Sequence, residues 1–269
     1  SGVGKAPAFQ VLHFFKVLTE VLRSGYYPDD SNRRIINEEY HQYIFIQEDR
    51  FKLLSGVARM NKGKSHFNGD NFLISRLECG KAIAAIADGM GSGKRAYIES
   101  RMVIELMENC IDAGFDEKAS IDLINSAYIA GGGTGNPVTM DMSVIDCQSG
   151  YMHCMKLGAV STFIRRDKWV EIIQSTTLPM GVLEQVDYDC TTKKLYDGDY
   201  IVMVSDGVLD NIPCVNKEER MAQMIHALTI REPSAMAEKL LEQSLAYNDM
   251  KASDDCTVLV LGLFDTYEK

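Results

Sequence analysis

The chain has 269 residues, of which 46% are apolar and 25% charged, and this ordinary balance argues against a largely disordered protein. Its 28 basic and 38 acidic residues give a net charge of −10, which argues against nucleic acid as a partner because phosphate backbones attract clustered Lys and Arg. The seven cysteines form no Cys-x-x-Cys pair, so they predict buried free thiols in a reducing compartment.

Residues 1–45 are predicted to form a helical leader that is separate from the domain at residues 46–269. Apolar residues recur with helical spacing from residue 8 to residue 24, and Gly25 follows as a C-terminal stop. Pro28 begins a second, more polar predicted helix that runs to about Gln42. The chain starts without Met or a signal peptide, so we expect a piece of a longer protein with an artificial start.

Short strands and pairs of helices follow one another along the rest of the chain. Many of the strands are joined by connections too short for parallel crossovers, so they must pair antiparallel. Strands that come in runs, with helices in pairs, predict an α+β fold in which antiparallel sheets are sandwiched by helices. The strands are predicted at residues 51–59, 71–77, 81–87, 139–146, 151–157, 161–166, 169–174, 186–193, 200–205 and 257–264, and the helices at 94–113, 117–130, 217–229 and 233–247.

Aspartates stand where buried strands begin or end. Asp88 and Asp206 each follow an apolar strand directly, and Asp254 lies just before the last strand. Asp70 precedes another strand. Carboxylates that converge on one rim repel each other unless cations lie between them, and hard oxygen ligands suit Mg²⁺ or Mn²⁺. Two such ions could lower the pKa of a bridging water and orient it at a phosphoryl group.

The sequence alone leaves other interpretations of the Asp-Gly pairs and of the glycine-rich loop open. An Asp-Gly pair after a strand is more often a hairpin turn than a metal site, although no returning strand follows Gly89 or Gly207. The loop from Gly89 to Lys94 is not a P-loop, because Arg95 stands where Ser or Thr should follow the lysine. It also lacks the third glycine of the dinucleotide-binding fingerprint.

A series of motifs in order carries a family resemblance over about four fifths of the chain. These motifs resemble the PPM (protein phosphatase 2C-like) family, and within it the sporulation branch. The matching stretches are Ser55–Arg59, Gly69–Phe72, Ala87–Gly93, Asp141–Asp146, Lys156–Gly158, Ser161–Arg166, Leu178–Gly181, Ser205–Gly207 and Ser253–Val258.

The resemblance implies a pair of antiparallel sheets flanked by helix pairs, with two Mn²⁺ or Mg²⁺ ions in a cleft at the sheet edges. It matches Asp88 to the ligand that bridges both metals, with the carbonyl of Gly89 as a further ligand. Asp206 and Asp254 match carboxylate ligands of one metal, and Asp70 an acidic position near the second metal. Asp255 is not expected to be a ligand.

Two departures from the eukaryotic branch matter. Gly69 stands in place of a glutamate, which implies weaker binding of the second metal, and Met90 replaces a histidine that is a candidate proton donor. The arginine that binds phosphate in that branch has no clear counterpart here. Arg59, Lys62 and Lys64 are weak candidates, and we assign phosphate binding to Arg59. Helices 94–113 and 117–130 match segments that switch the metal site, with Gly91 and Gly93 as hinges.

The function implied is that of a serine/threonine protein phosphatase in which a metal-bridging hydroxide attacks phosphoserine. In the sporulation relatives the substrate is a phosphorylated anti-anti-sigma protein, and dephosphorylation releases a sigma factor. We expect a cytoplasmic domain whose parent is membrane-anchored, and the leader could regulate the domain or form a homodimer. The alternative is a catalytically weak or inactive PPM-fold module that binds a partner.

Overall fold

The computed structural model describes residues 9–22, 25–36, 40–63, 65–77, 80–130, 136–167, 169–185 and 187–266. The chain divides into two compact units, Ser1–Arg50 and Phe51–Lys269. No helix among the described residues is both long enough and apolar enough to cross a bilayer.

The first unit combines one helix with short strands. Its elements are β1 (Phe9–Gln10), α1 (Val11–Leu22), β2 (Tyr26–Pro28), β3 (Ile35–Ile36) and β4 (Phe45–Gln47). Strand β1 pairs antiparallel with β3, and β2 pairs antiparallel with β4. Helix α1 lies where the first helix was predicted. Residues 1–8, which include the predicted start of that helix, lie outside the described residues.

The second helix predicted for the leader, from Pro28 to Gln42, is wrong. Pro28 ends β2, and Oδ1 of Asp29 accepts a hydrogen bond from the backbone N–H of Ser31 at 2.9 Å, which closes a local turn. Pro, Asp and Ser favour both the start of a helix and this kind of turn, so the residues could not distinguish the two. Residues 37–39 of this segment lie outside the described part.

The second unit is a sandwich of two antiparallel sheets with helices on both outer faces. One sheet has the order β11-β10-β13-β14-β5, and the other β12-β9-β8-β7-β6. Its strands are β5 (Phe51–Met60), β6 (Asp70–Leu77), β7 (Lys81–Gly89), β8 (Val138–Asp146), β9 (Tyr151–Leu157), β10 (Thr162–Arg165), β11 (Val170–Ile173), β12 (Asp189–Lys194), β13 (Tyr200–Val204) and β14 (Cys256–Asp265). Its helices are α2 (Lys94–Asp112), α3 (Glu117–Ala130), α4 (Asp206–Asp210), α5 (Lys217–Ala227) and α6 (Pro233–Leu245).

Each central strand is apolar on both faces because each face meets a different layer. In β14, Val258 and Val260 pack in the cluster formed with α5 and α6, whereas Leu259 and Leu261 belong to the core between the two sheets. Alternate residues of β7 likewise pack with α2 and α3 or between the sheets. The predicted α+β sandwich of antiparallel sheets and helix pairs is confirmed.

A buried ion pair lies between the sheets and was not predicted. The ammonium group of Lys156 donates to Oδ2 of Asp141 at 2.6 Å, to the carbonyl of Val160 at 2.7 Å and to Oγ1 of Thr162 at 2.7 Å. Asp141 and Lys156 belong to one sheet and Thr162 to the other. The network thus ties the two sheets together, and all three donor positions of the ammonium are satisfied.

The cysteines of the described residues are free thiols, as predicted, but burial holds for only some of them. Cys110, Cys147, Cys154 and Cys256 are buried. The prediction of burial is wrong for Cys190 and Cys214, which are exposed. Cys79 lies outside the described residues.

Candidate metal centre

The predicted aspartates come from strand ends that the two sheets place on one rim. Asp70 begins β6 and is the antiparallel partner of Asp88 near the end of β7. In the facing sheet, β13 ends just before Asp206, and its neighbour β14 begins just after Asp254. Antiparallel neighbours place the start of one strand beside the end of the next, so each sheet brings two of the acids to one of its ends. The charge of Asp206 acts on both Asp70 and Asp88, so these two ends lie together.

The period of two along each strand directs these side chains into the space between the sheets. Ile86 of β7 belongs to the inter-sheet core, and Asp88 lies two residues farther along on the same face. Asp70 shares that face because it pairs with Asp88. On the other sheet, Met203 and Leu259 belong to the same core, so Ser205 and Thr257 continue their faces toward the acids.

Asp70 is a buried carboxylate whose oxygens lack hydrogen-bond partners. It is 0% exposed, and no hydrogen bond of normal geometry reaches either Oδ1 or Oδ2. Burial raises the pKa of Asp70 to about 6, and the charge of Asp206 raises it further. The nearby hydroxyls of Thr257 and Ser205 act in the opposite direction and lower it. A buried acceptor without a partner is costly, so this position calls for a ligand that the polypeptide does not supply.

The neighbouring acids are also disfavoured in their charged form. Burial, followed by the charges of Asp70 and Asp206, raises the pKa of Asp88 to about 10. Burial likewise raises the pKa of Asp206, and the charges of Asp210 and Asp254 add to it. Ionising these acids together is therefore costly, and a divalent cation bound between them would offset the negative charge that their ionisation creates.

These donors fit a hard cation, because carboxylate oxygens are the ligands that Mg²⁺ and Mn²⁺ prefer. Among the described residues no group of three acidic, histidine or cysteine side chains is already arranged to hold one metal ion. The residues that would hold the ions, Asp88, Asp206, Asp254 and Asp70, would therefore have to rearrange around them.

The two adjacent acids before β14 have different surroundings. The Asp254 side chain is 38% exposed and lies 3.4 Å from the ammonium group of Lys62. Asp255 is buried, and its two oxygens accept the backbone N–H groups of Lys62 and Gly69, each at 2.7 Å. Both oxygens of Asp255 therefore serve the polypeptide, whereas Asp254 presents the more open carboxylate.

The glycines after Asp88 and Asp206 allow close packing. A Cβ atom on Gly89 would lie 2.3 Å from the carbonyl oxygen of Ala96 in α2. A Cβ atom on Gly207 would lie 2.1 Å from the carbonyl oxygen of Asp255. Neither contact is possible for a side chain, so the packing of the rim requires glycine at both positions. Neither Asp-Gly pair forms a hairpin turn, because α2 follows the first and α4 contains the second.

Arg59, the candidate phosphate-binding residue, lies at the edge of the acidic cluster. Its Nη2 donates to the backbone carbonyl of Asp70, and its guanidinium lies 5.5 Å from the centre of the Phe72 ring. Burial lowers the pKa of Arg59, whereas the charges of Asp70 and Asp255 raise it. The guanidinium is thus fixed close to the acids. Lys64 lies outside the described residues.

The hinge candidates Gly91 and Gly93 both adopt left-handed backbone, with φ of 98° and 84°. No atom lies within 4 Å of the place where a Cβ atom would stand on either residue, so backbone conformation rather than packing favours glycine there. Gly93 precedes the first residue of α2.

Sequence reasoning missed the polar residues that surround the acids. Ser205 and Thr257 border the cluster, and Ser100 of α2 donates to the carbonyl of Gly69 at 2.5 Å. Ser205 directly precedes Asp206, and Thr257 comes two residues after Asp255, so closeness in the chain was the available signal. Ser100 carried no such signal, because only the packing of α2 on β6 brings it to the rim.

Known proteins share both the sequence and the fold. Residues 79–264 match the family model described as Stage II sporulation protein E (SpoIIE). The chain is 31% identical over 225 residues to the Stage II sporulation protein E of Bacillus subtilis (strain 168), covering 83% of this chain and 27% of that protein. It is 33% identical over 210 residues to the protein of that name from Priestia megaterium, covering 78% of this chain and 36% of that protein.

A solved structure agrees over most of the chain. The PP2C phosphatase domain with a fragment of the regulatory domain of the cell fate determinant SpoIIE from Bacillus subtilis superposes with a TM-score of 0.82 and 26% identity. The match covers 96% of this chain and 78% of that one. The fold and the acidic rim thus define a PP2C-type phosphatase domain. The chain belongs to the Stage II sporulation protein E family, and it spans about a quarter to a third of the length of the curated relatives it matches.

Proposed function

We propose that this chain is a metal-dependent protein serine/threonine phosphatase whose metal ligands are Asp88, Asp206, Asp254 and Asp70, with the carbonyl of Gly89. The observation that carries the proposal is the unpartnered, fully buried carboxylate of Asp70, which faces Asp88 across paired strands. Bound Mn²⁺ or Mg²⁺ would lower the pKa of a water molecule and offset the charge that develops on a phosphoryl group.

The chain's own residues would orient the substrate. Arg59 is held beside the cluster by its bond to the Asp70 carbonyl, and its other N–H groups could bind a phosphate oxygen. Lys62 lies three residues after Arg59, and its ammonium group is 3.4 Å from Oδ1 of Asp254. Both cations are placed to attract a dianionic phosphoserine to a rim whose acids would otherwise repel it.

The substrate class follows from the family. We propose that the phosphoprotein is of the anti-anti-sigma type and that its dephosphorylation activates a sporulation sigma factor. Membership of the Stage II sporulation protein E family supports this. The same relationship supports a cytoplasmic domain attached to a membrane-anchored parent. We also propose Gly91 and Gly93 as hinges of α2. Residues 1–45 would form a leader that regulates the domain or joins two copies as a homodimer.

A binding module without turnover is the second candidate. Two observations favour it: the described acids are not yet arranged around a common point, and the pKa of Asp88 is raised to about 10. A cation must displace the proton of Asp88 to bind there, so metal affinity at neutral pH would stay low until a partner reorders the rim.

The deciding experiment measures hydrolysis of p-nitrophenyl phosphate and of a phosphoserine protein while Mn²⁺ is titrated. We expect turnover that depends on Mn²⁺, its loss in Asp206→Asn, and its retention in Asp122→Asn, which changes an exposed acid on α3. Turnover that survives chelation of divalent metals, or full activity of Asp206→Asn, would contradict the phosphatase mechanism. Absence of turnover in a wild-type protein that binds Mn²⁺ would favour the binding module.

A further inference from the structure

The backbone of Gly69 is held from both sides. Its N–H donates to Oδ2 of Asp255 at 2.7 Å, and its carbonyl accepts from Oγ of Ser100 at 2.5 Å. The same carbonyl also accepts from the N–H of Gly89, at 3.2 Å. Asp255 precedes β14, Ser100 belongs to α2 and Gly89 ends β7, so three elements distant in the chain meet at one residue.

The side chains that bind the backbone of Gly69 are themselves fixed. Asp255 is 3% exposed and Ser100 is 0% exposed, so water cannot easily replace either one. Ser100 also accepts a hydrogen bond from the side-chain amide of Asn71 at 2.8 Å. A Cβ atom on Gly69 would lie 3.2 Å from Oδ2 of Asp255, so the carboxylate closely approaches the backbone it binds.

The position of the Gly69 backbone determines the positions of Asp70 and Asp88. Asp70 follows Gly69 directly, and Asp88 precedes Gly89, so the three bonds fix the backbone from which both carboxylates project. Asp255 connects the same backbone to two further segments. Its second carboxylate oxygen accepts the N–H of Lys62 at 2.7 Å. Its backbone carbonyl packs against Gly207, the residue after Asp206.

We propose that Asp255 and Ser100 are positioning residues that hold the backbone of Gly69, and through it Asp70 and Asp88, in the geometry that binds the divalent cation. Neither residue contacts the metal in this assignment. The inference rests on the proposed function, and it adds a route by which the placement of α2 reaches the acids. Loss of a residue that orients a metal ligand without contacting the metal typically lowers metal affinity about 10- to 100-fold.

The test is isothermal titration of Mn²⁺ into the full chain, with two variants and a matched control for each. Ser100→Ala removes the hydroxyl without changing charge. Asp255→Asn keeps the shape, but its NH₂ group must face a backbone N–H. The control for the serine is Ser120→Ala, because Ser120 is buried on α3 and its hydroxyl donates to the carbonyl of Asp116 at 2.8 Å.

The control for the acid is Asp199→Asn. Asp199 is also buried, and its Oδ2 accepts the N–H of Tyr196 at 2.9 Å, before β13 and at the opposite end of that strand from Asp206. Thermal unfolding of all four variants without metal identifies any general loss of stability. The controls therefore show how Mn²⁺ binding responds to the loss of a buried hydrogen bond that does not involve Gly69.

We expect Ser100→Ala and Asp255→Asn each to weaken Mn²⁺ binding by about 10-fold or more, while both controls stay within about twofold of wild type. Equal binding in all variants, or equal weakening in variants and controls, would overturn the inference. A loss confined to Asp255→Asn would assign the effect to charge and would also overturn it. A wild-type chain that binds no Mn²⁺ would overturn the proposed function as well.

Discussion

Asp70 and Asp88 lie opposite each other on neighbouring strands, a placement that the polypeptide alone disfavours. Like charges in directly opposed positions of an antiparallel pair are destabilising, and burial strengthens the effect. Natural chains retain such positions where a function requires them. The cost should therefore be measurable in the metal-free protein and should disappear when a cation is bound.

The pH dependence of stability provides that measurement. The pKa values of Asp70 and Asp88 are raised in the folded chain, to about 6 and about 10, from an ordinary value of 3.8. A raised folded pKa gives stability that is fully present below about pH 3.8 and is lost as the pH rises through the folded pKa. In a chelator, the free energy of unfolding contributed by both acids should therefore fall from about pH 4 upward, with the loss from Asp70 complete near pH 6 and the loss from Asp88 continuing to about pH 10.

Asp88→Asn isolates the larger part of this effect. We expect the variant to be more stable than wild type at neutral and alkaline pH without metal, with a difference that grows as the pH rises. Urea denaturation from about pH 5 to about pH 9 would measure the difference, with Asp122→Asn as the control. A difference that shrinks with rising pH would contradict the assignment of buried, mutually repelling acids.

At the scale of elements, helix α3 braces the segment that contains the Leu-Pro-Met-Gly motif. The side-chain amide of Asn125 donates to the carbonyls of Leu183 and Glu184, at 3.0 and 3.2 Å, and its oxygen accepts the N–H of Gly181 at 2.9 Å. Tyr128 packs against Gly181, where a Cβ atom would lie 2.9 Å from the ring. One helix face thus fixes a segment that has few backbone partners of its own.

Asn125→Ala should therefore destabilise the protein by about 1–3 kcal/mol, because a buried amide and its three partners lose their hydrogen bonds. Ser126→Ala is the control, since that exposed hydroxyl donates only within its own helix, to the carbonyl of Asp122 at 2.8 Å. We expect it to change stability by less than about 0.5 kcal/mol. Equal effects in urea denaturation would show that Asn125 does not brace the segment.

The elements themselves could be predicted where periodicity is long, as in α2, and where strands are buried on both faces, as in β7 and β14. Strand partners could not be predicted, because nothing local states that Phe51 pairs with Asp265. Helix α4 was missed because five residues are too short to show a helical period. The acids were predicted from their places at strand ends, but Ser100 was not, because a helix packed across the sheet brings it there.

At the scale of the whole molecule, the division after Arg50 predicts that the second unit folds by itself. A chain of residues 48–269 keeps β5 complete, including buried Phe51. We expect it to unfold cooperatively and to bind Mn²⁺ as the full chain does. A chain of residues 61–269 is the control, because it loses all ten pairs between β5 and β14 and should not fold. Circular dichroism and Mn²⁺ titration would check both, and failure of the first to fold would contradict the independence of the unit.

The pairing of β5 with β14 also has a consequence for synthesis. Strand β14 lies between β13 and β5, so the first strand of the unit has no neighbour in its sheet until the last strand has been made. Asp254 and Asp255 come immediately before β14, so the acidic rim is also incomplete until then. A nascent chain therefore cannot assemble this centre until β14 has left the ribosome, however early the other strands emerge.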